Sequence, residues 1–228
     1  MLLAGVDGCR AGWLSATLDL ETGEVRGAVF PDASTLFERQ RAIITAIDIP
    51  IGLPASRERS CDREARRLVG PRASSVFPAP VRATLAAETY EAACLIAVQA
   101  SGKRLSKQTY AILPKIREVD AAVRSQPIRV YEVHPEVSFC IWNGGTPMSH
   151  PKRSGFGFLE RYRLVQQVFG RAADCLRDAL PRRGVSDDDI LDALAALWTA
   201  KRIHAGSMRR IAADEEHDEC GLLMQIFA

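Results

Sequence analysis

Ile43-Ile-Thr-Ala-Ile-Asp-Ile-Pro50 is nearly continuous in isoleucine and alanine, which is how a strand buried on both faces of a sheet reads. Pro50 and Pro54 end it, because proline cannot donate to a ladder. The run closes on Asp48, and a carboxylate in such a place is costly unless something positive meets it. Two more apolar runs end the same way, Leu2-Leu-Ala-Gly-Val-Asp7 and Ile128-Arg-Val-Tyr-Glu132. A fourth acid, Asp192, lies on a late alanine-rich helix with Asp189 one turn before it. Carboxylates gathered from such distant segments most simply mean a divalent cation, and they point to metal-assisted phosphoryl chemistry.

Working outward from that strand, residues 2–7, 13–18 and 25–30 read as three antiparallel strands, with Gly8 and Gly12 in the first connection. A short helix is expected at 33–41, before the strand at 43–49. Helices are expected near 57–69, 88–101 and 107–124, then a strand at 128–133 and a loop-rich stretch at 134–157. Further helices follow at 158–169, 172–179 and 187–204. The tail Gly221–Phe227 suits an edge strand or packs on the core. The fold class is therefore α/β: a mixed five-stranded sheet, three antiparallel strands then parallel ones, flanked by helices. One domain is expected over 1–228, with a mainly helical insertion at about 55–127. Crossovers between parallel strands should be right-handed. Ligands in open α/β sheets favour the carboxyl ends of strands, where Asp7, Asp48 and Glu132 fall.

The 228 residues are 47% hydrophobic and 25% charged, which excludes disordered and collagen-like classes. A net charge of +2 does not announce a polyanion as partner. No run of eighteen apolar residues occurs, so no membrane partner is expected. The start reads as a strand rather than an export signal. The six cysteines include no Cys-x-x-Cys pair, so reduced thiols and a cytoplasmic location are expected. Histidine spacing gives no zinc pattern.

Each acid also has a plain structural reading. Asp7 could serve an Asp-Gly turn, Asp48 a turn or N-cap, and Glu132 an ion pair with an arginine such as Arg129. Glu136 competes with Glu132 but suits the first turn of a helix. Ser186 and Asp189 have capping-box spacing, whereas Asp192 lies too deep in its helix to cap anything. On a helical wheel Asp189, Asp192, Ala193, Ala196 and Ala200 share a face whose small residues allow close approach to another element. Mg²⁺ or Mn²⁺ suits an oxygen-only set, since Mg²⁺ keeps several waters and needs few carboxylates. Arg59, Arg63 and Arg67 read as a solvated helical face. Lys107, Lys115 and Arg82 are the better candidates for substrate phosphate, a choice that rests on the motifs quoted next and on what their resemblance implies. His134 suits either a first-turn position or a hydrogen bond beside a metal.

Several segments together resemble a known family. They are Gly5-Val-Asp-Gly-Cys-Arg-Ala-Gly-Trp13, Ile47-Asp-Ile-Pro-Ile-Gly-Leu-Pro54, Cys61-Asp-Arg-Glu-Ala-Arg-Arg-Leu68 and Ser74-Ser-Val-Phe-Pro-Ala-Pro-Val-Arg82. Leu105-Ser-Lys-Gln108, Pro114-Lys-Ile-Arg-Glu-Val-Asp120, Tyr131-Glu-Val-His-Pro-Glu136 and Asp192-Ala-Leu-Ala-Ala196 complete the set. Over nearly the whole chain they are similar to domain-of-unknown-function family 429, described as predicted nucleases of ribonuclease H-like fold. The resemblance implies Asp7 on strand one, Asp48 at the end of strand four and Asp192 on the closing helix as metal-site acids. Asp189 stands one turn earlier, as in RuvC-type junction resolvases. The expected activity is a Mg²⁺- or Mn²⁺-dependent nuclease or phosphodiesterase, with Asp7, Asp48, Glu132 and Asp192 catalytic and Asp7, Asp48, Asp189 and Asp192 around the metal. Its partner is a nucleic acid or a smaller phosphoester. The alternative is a non-catalytic nucleotide- or nucleic-acid-binding module on the same scaffold. An ATP-using phosphotransferase is disfavoured, because no duplicated half and no glycine-rich phosphate loop is present. The oligomeric state is open, a homodimer through the Gly221–Phe227 edge included.

Overall fold

The computed structural model describes residues 1–125 and 128–228. Five strands, β1 (Leu2–Cys9), β2 (Gly12–Asp19), β3 (Val25–Phe30), β4 (Ile44–Ile47) and β5 (Val130–Glu132), form one sheet. Their order is β3-β2-β1-β4-β5. β1, β2 and β3 pair antiparallel, while β4 and β5 run parallel to β1. The result is a mixed five-stranded sheet flanked by helices. Gly12, at φ 123°, makes the tight turn that Cys9 and Gly12 close as a ladder pair. Only glycine adopts such a conformation without strain.

Alternation along the strands divides the core in two. Leu3, Leu14, Ala16, Ile44 and Ala46 face α6 (Gly155–Phe169), α7 (Ala172–Ala179) and α8 (Asp187–His204). Val6, Trp13 and Ile47 face α1 (Ala33–Gln40), α3 (Tyr90–Ser101) and α4 (Lys107–Ser125). A third cluster joins α2 (Ser60–Val69), α5 (Pro135–Trp142) and the C-terminal tail. Between β4 and β5 lie α2, two short 3-10 turns at 70–75 and 82–86, α3 and α4. This is the helical segment expected at 55–127, whose last two positions fall outside the described residues.

Two expectations are corrected. β4 stops at Ile47, so Asp48 sits just past the strand. The stretch expected to be loop-rich contains α5, started by Pro135 at its first turn, a position where the missing N–H is no loss. Of the two alternatives for the tail, packing on the core holds, with Ile226, Phe227 and Ala228 buried, while Phe227 makes only isolated bridges to Val133 and Arg210 rather than a full strand. Among the described residues no helix is long and apolar enough to cross a membrane.

Candidate active site

α8 reaches the sheet because β1 has no side chain at Gly5. A Cβ there would stand 2.0 Å from the Leu197 nitrogen and 2.2 Å from the Ala193 oxygen, so backbone meets backbone. Asp7 follows Gly5 on the same face of β1, and Asp192 precedes Ala193 on the helix. The contact therefore delivers Asp192 to Asp7. Register does the rest: Val6 pairs with Ile47, and the Asp48 N–H donates to the Val6 carbonyl at 2.9 Å. Asp7, near the end of β1, and Asp48, just past the end of β4, thus stand side by side on adjacent parallel strands. Asp7 is 7% exposed and Asp192 4%, and all three acids line one cavity of about 510 Å³.

Burial raises the Asp7 carboxyl well above its ordinary range, and the nearby Asp192 and Asp48 charges add to it. Burial also pushes Asp48 up to about 6, with His134 and Lys152 pulling it down and Asp192 pushing it up. Among the described residues the one ion pair at the cluster is Lys152 Nζ to Asp192 Oδ2, at 2.6 Å. His134 sets its Nε2 against the Ser75 carbonyl at 3.2 Å. A carbonyl only accepts, so Nε2 carries a hydrogen toward it, and among the described residues the buried Nδ1 has no partner.

The other buried acids are treated differently. Glu132 accepts from Arg59 through both oxygens, at 2.7 and 2.6 Å, and from the Ile51 N–H at 2.6 Å. Arg59 also grips Asp62, at 3.1 and 2.6 Å. Glu136 is held by Arg161 at 2.6 and 2.7 Å. Arg82 binds Asp120, at 3.0 and 2.8 Å, and Asp218. Among the described residues, the buried Asp7 and the half-buried Asp48 meet no cation in an ion pair.

The residues expected from sequence therefore separate. Asp7, Asp48 and Asp192 come together. Glu132 pairs in register with Ile47, on the α4 face, and its arginine is Arg59 rather than Arg129. It lines the same cavity with its oxygens already engaged. Asp189 closes the α8 capping box with Ser186 and acts on Asp7 only at a distance. Lys115 lines the cavity, donates to the Gly12 carbonyl at 2.5 Å and lies 4.3 Å over the Trp13 ring. Arg82 is buried in its pair with Asp120 and Asp218 and does not line the central cavity. Lys107, exposed at the start of α4, does not line the cavity. Two residues escaped the sequence reading. Arg59 is 2% exposed, not part of a solvated face. Lys152 stands in a segment read as loop, where a lysine carries no spacing signal.

The central cavity adjoins two others. Lys152 and Arg153 also line a groove of about 1060 Å³ toward Arg10 and Arg182. Phe77 also lines a groove of about 390 Å³ with Arg57, Lys103 and Arg104. Among the described residues no three His, Cys, Asp or Glu side chains are arranged to hold a metal ion by themselves. The donor set nevertheless fits a hard cation: Asp7 and Asp48 are oxygen donors that make no ion pair among the described residues. Mg²⁺ takes one or two carboxylates and fills its shell with water and substrate phosphate.

The model of a family described as Protein of unknown function (DUF429) matches residues 5–217. No curated protein and no solved structure matches the chain.

Proposed function

The chain belongs to the DUF429 family of proteins of unknown function, and we propose that it is a metal-dependent phosphodiesterase or nuclease on a ribonuclease H-like scaffold. One observation carries this reading. Buried acids elsewhere in the molecule are matched to arginines, while among the described residues Asp7 and Asp48 face the cavity outside any ion pair. Desolvated carboxylates without partners are expensive, and a site that keeps them has a use for their charge. The strand order, with Asp7 near the end of β1, Asp48 just past β4 and Asp192 on the helix laid over β1, supports the scaffold.

In this reading Asp7 and Asp48 hold one Mg²⁺ or Mn²⁺. Such an ion lowers the pKa of bound water and stabilises charge on phosphoryl oxygens. Asp192 orients the cluster from α8. Lys115 and Lys152 present ammonium groups to an anionic substrate, and the apolar walls at Ile49, Val76 and Ile112 exclude bulk water, which strengthens each charge interaction.

The test is cleavage of labelled single- and double-stranded DNA and RNA oligonucleotides, and of bis(p-nitrophenyl) phosphate, with Mn²⁺ present. The wild-type protein should cleave at least one of them, EDTA should stop it, and Asp48→Asn should reduce it at least a hundredfold with the fold intact. No cleavage of any substrate, or full activity in Asp48→Asn, removes the proposal. The lack of a self-sufficient three-ligand cluster favours, as second reading, a nucleotide- or nucleic-acid-binding module. Its mark is binding that survives EDTA and loss of Asp48.

A further inference from the structure

We propose that Phe77 is the platform of a nucleobase subsite beside the acid cluster, so that the phosphoester this site takes belongs to a nucleotide. This rests on the phosphodiesterase reading above, which says nothing of what the phosphate carries. Among the described residues two phenylalanines are exposed, Phe77 and Phe156, and of these Phe77 lines the acid cavity with Asp7 and Asp48. It also lines the adjoining groove of about 390 Å³, a size that takes a small organic ligand. One ring therefore stands where the two spaces meet.

The loop that presents Phe77 is anchored on both sides of it. Before it, Val76 is buried in the cluster of α2, α5 and the tail, and its N–H donates to the Ala73 carbonyl at 3.2 Å. After it, the buried Ala79 donates its N–H to Asp62 Oδ2 at 2.9 Å, and Asp62 is gripped in turn by Arg59. Pro78 and Pro80 fix φ on that side. Val76 turns into the core and Phe77, 43% exposed, turns out of it. A platform held this way needs little ordering when a ligand arrives, which removes part of the cost of binding.

The rest of the groove indicates what the ring meets. Pro54 and Pro80 give it apolar walls, and Arg57, Lys103 and Arg104 line it as well. Its one acid, Glu58, is paired with Arg66, and among the described residues the three cations are in no ion pair. An aliphatic ligand would use the walls and leave the cations idle, and inorganic phosphate would do the reverse. A nucleotide uses both. Its base stacks on an aromatic face whatever the base, and phosphate oxygens accept charge-assisted hydrogen bonds from arginine and lysine.

The experiment is titration calorimetry in Ca²⁺ with adenosine monophosphate, uridine monophosphate and ribose phosphate, which lacks the base. Wild type, Phe77→Ala and Phe77→Trp are compared, with circular dichroism confirming each fold. In wild type both nucleotides should bind about tenfold or more tightly than ribose phosphate, as stacking on an aromatic gives. Phe77→Ala should bring the three ligands to within about twofold of one another by weakening the nucleotides and leaving ribose phosphate unchanged. Phe77→Trp should restore the preference, with a fluorescence quench by the nucleotides that wild type lacks. Equal affinity for the three ligands in wild type, a preference that survives Phe77→Ala, or equal weakening of all three in that variant overturns the inference. So does the absence of nucleotide binding at millimolar concentration. Cleavage by wild type without a base preference removes the subsite alone. A preference that Phe77→Ala abolishes, in a protein that cleaves no phosphodiester, supports the subsite and removes only the phosphodiesterase reading.

Discussion

Asp48 and Glu132 end neighbouring strands, yet one faces open space and the other a guanidinium. Their difference makes two predictions at the scale of single residues. Asp48 is pushed up to about 6 from 3.8, chiefly by burial, and Asp7 is raised as well. The folded metal-free protein therefore keeps protons that the unfolded chain releases. The stabilising contribution is fully present below about pH 4 and is lost as pH rises through about 6. In EDTA, Asp48→Asn should accordingly melt a few degrees above wild type at pH 8, about 2–4 °C for each kcal/mol relieved. The gap should close near pH 4, and equal melting temperatures across the range would remove the claim that Asp48 is strained. Arg59 gives the opposite case. Arg59→Met strands both Glu132 and Asp62 in the interior, and breaking a buried pair costs about 3–5 kcal/mol. Urea unfolding should show that loss. A shift under 1 kcal/mol would mean water reaches those carboxylates.

At the scale of elements, α8 does most to build the site. It is buried on nearly every side, from Ile190 to Ile203, and its closest approach is to Gly5. Gly5→Ala must push backbone from backbone, and overpacking of a filled core typically costs about 1–3 kcal/mol, occasionally more. We expect a loss at the upper end, with Mn²⁺ affinity falling at least tenfold because Asp192 moves away from Asp7. Unchanged stability would show that α8 can slide freely over β1. Much of this was legible in the sequence. The alanine and aspartate face of α8 announced a close approach, and the periodic apolar runs located the strands and most helices within a few residues. Asp7, Asp48 and Asp192 followed from strand ends and helix depth. What the sequence hid depends on pairing across the chain. Glu132 looks like the other strand-end acids until β5 registers against β4 and turns it to the opposite face. Arg59 resembles Arg63 and Arg67 in a charged helix, and only the meeting of α2 with β5 buries it. α5 was masked by Pro135, which starts a helix as readily as it ends a strand.

Across the whole molecule, the carboxyl ends of β1 and β4 open into a cavity with a basic groove on either side. One holds Arg10, Arg153 and Arg182, and the other Arg57, Lys103 and Arg104 beside Phe77, which is 43% exposed. The net charge of +2 conceals this, since acids such as Asp187 and Asp188 share the first groove. A small phosphoester needs only the central cavity, whereas a strand crossing the acid cluster would use the flanks. Length dependence separates the two. If the substrate is a strand, a twelve-nucleotide single strand should bind in Ca²⁺ at least tenfold more tightly than a dinucleotide. Lys103→Glu with Arg104→Glu should remove most of that advantage and leave the dinucleotide and Mn²⁺ affinities unchanged. Each lost phosphate contact should also lower the slope of log affinity against log salt by about 0.7 for a single strand. Phe77→Ala should weaken the long strand further, because stacking on an aromatic contributes about 1–3 kcal/mol per base. Equal affinity for the two lengths would confine the substrate to the central cavity and make a small phosphodiester the better match to the same three carboxylates.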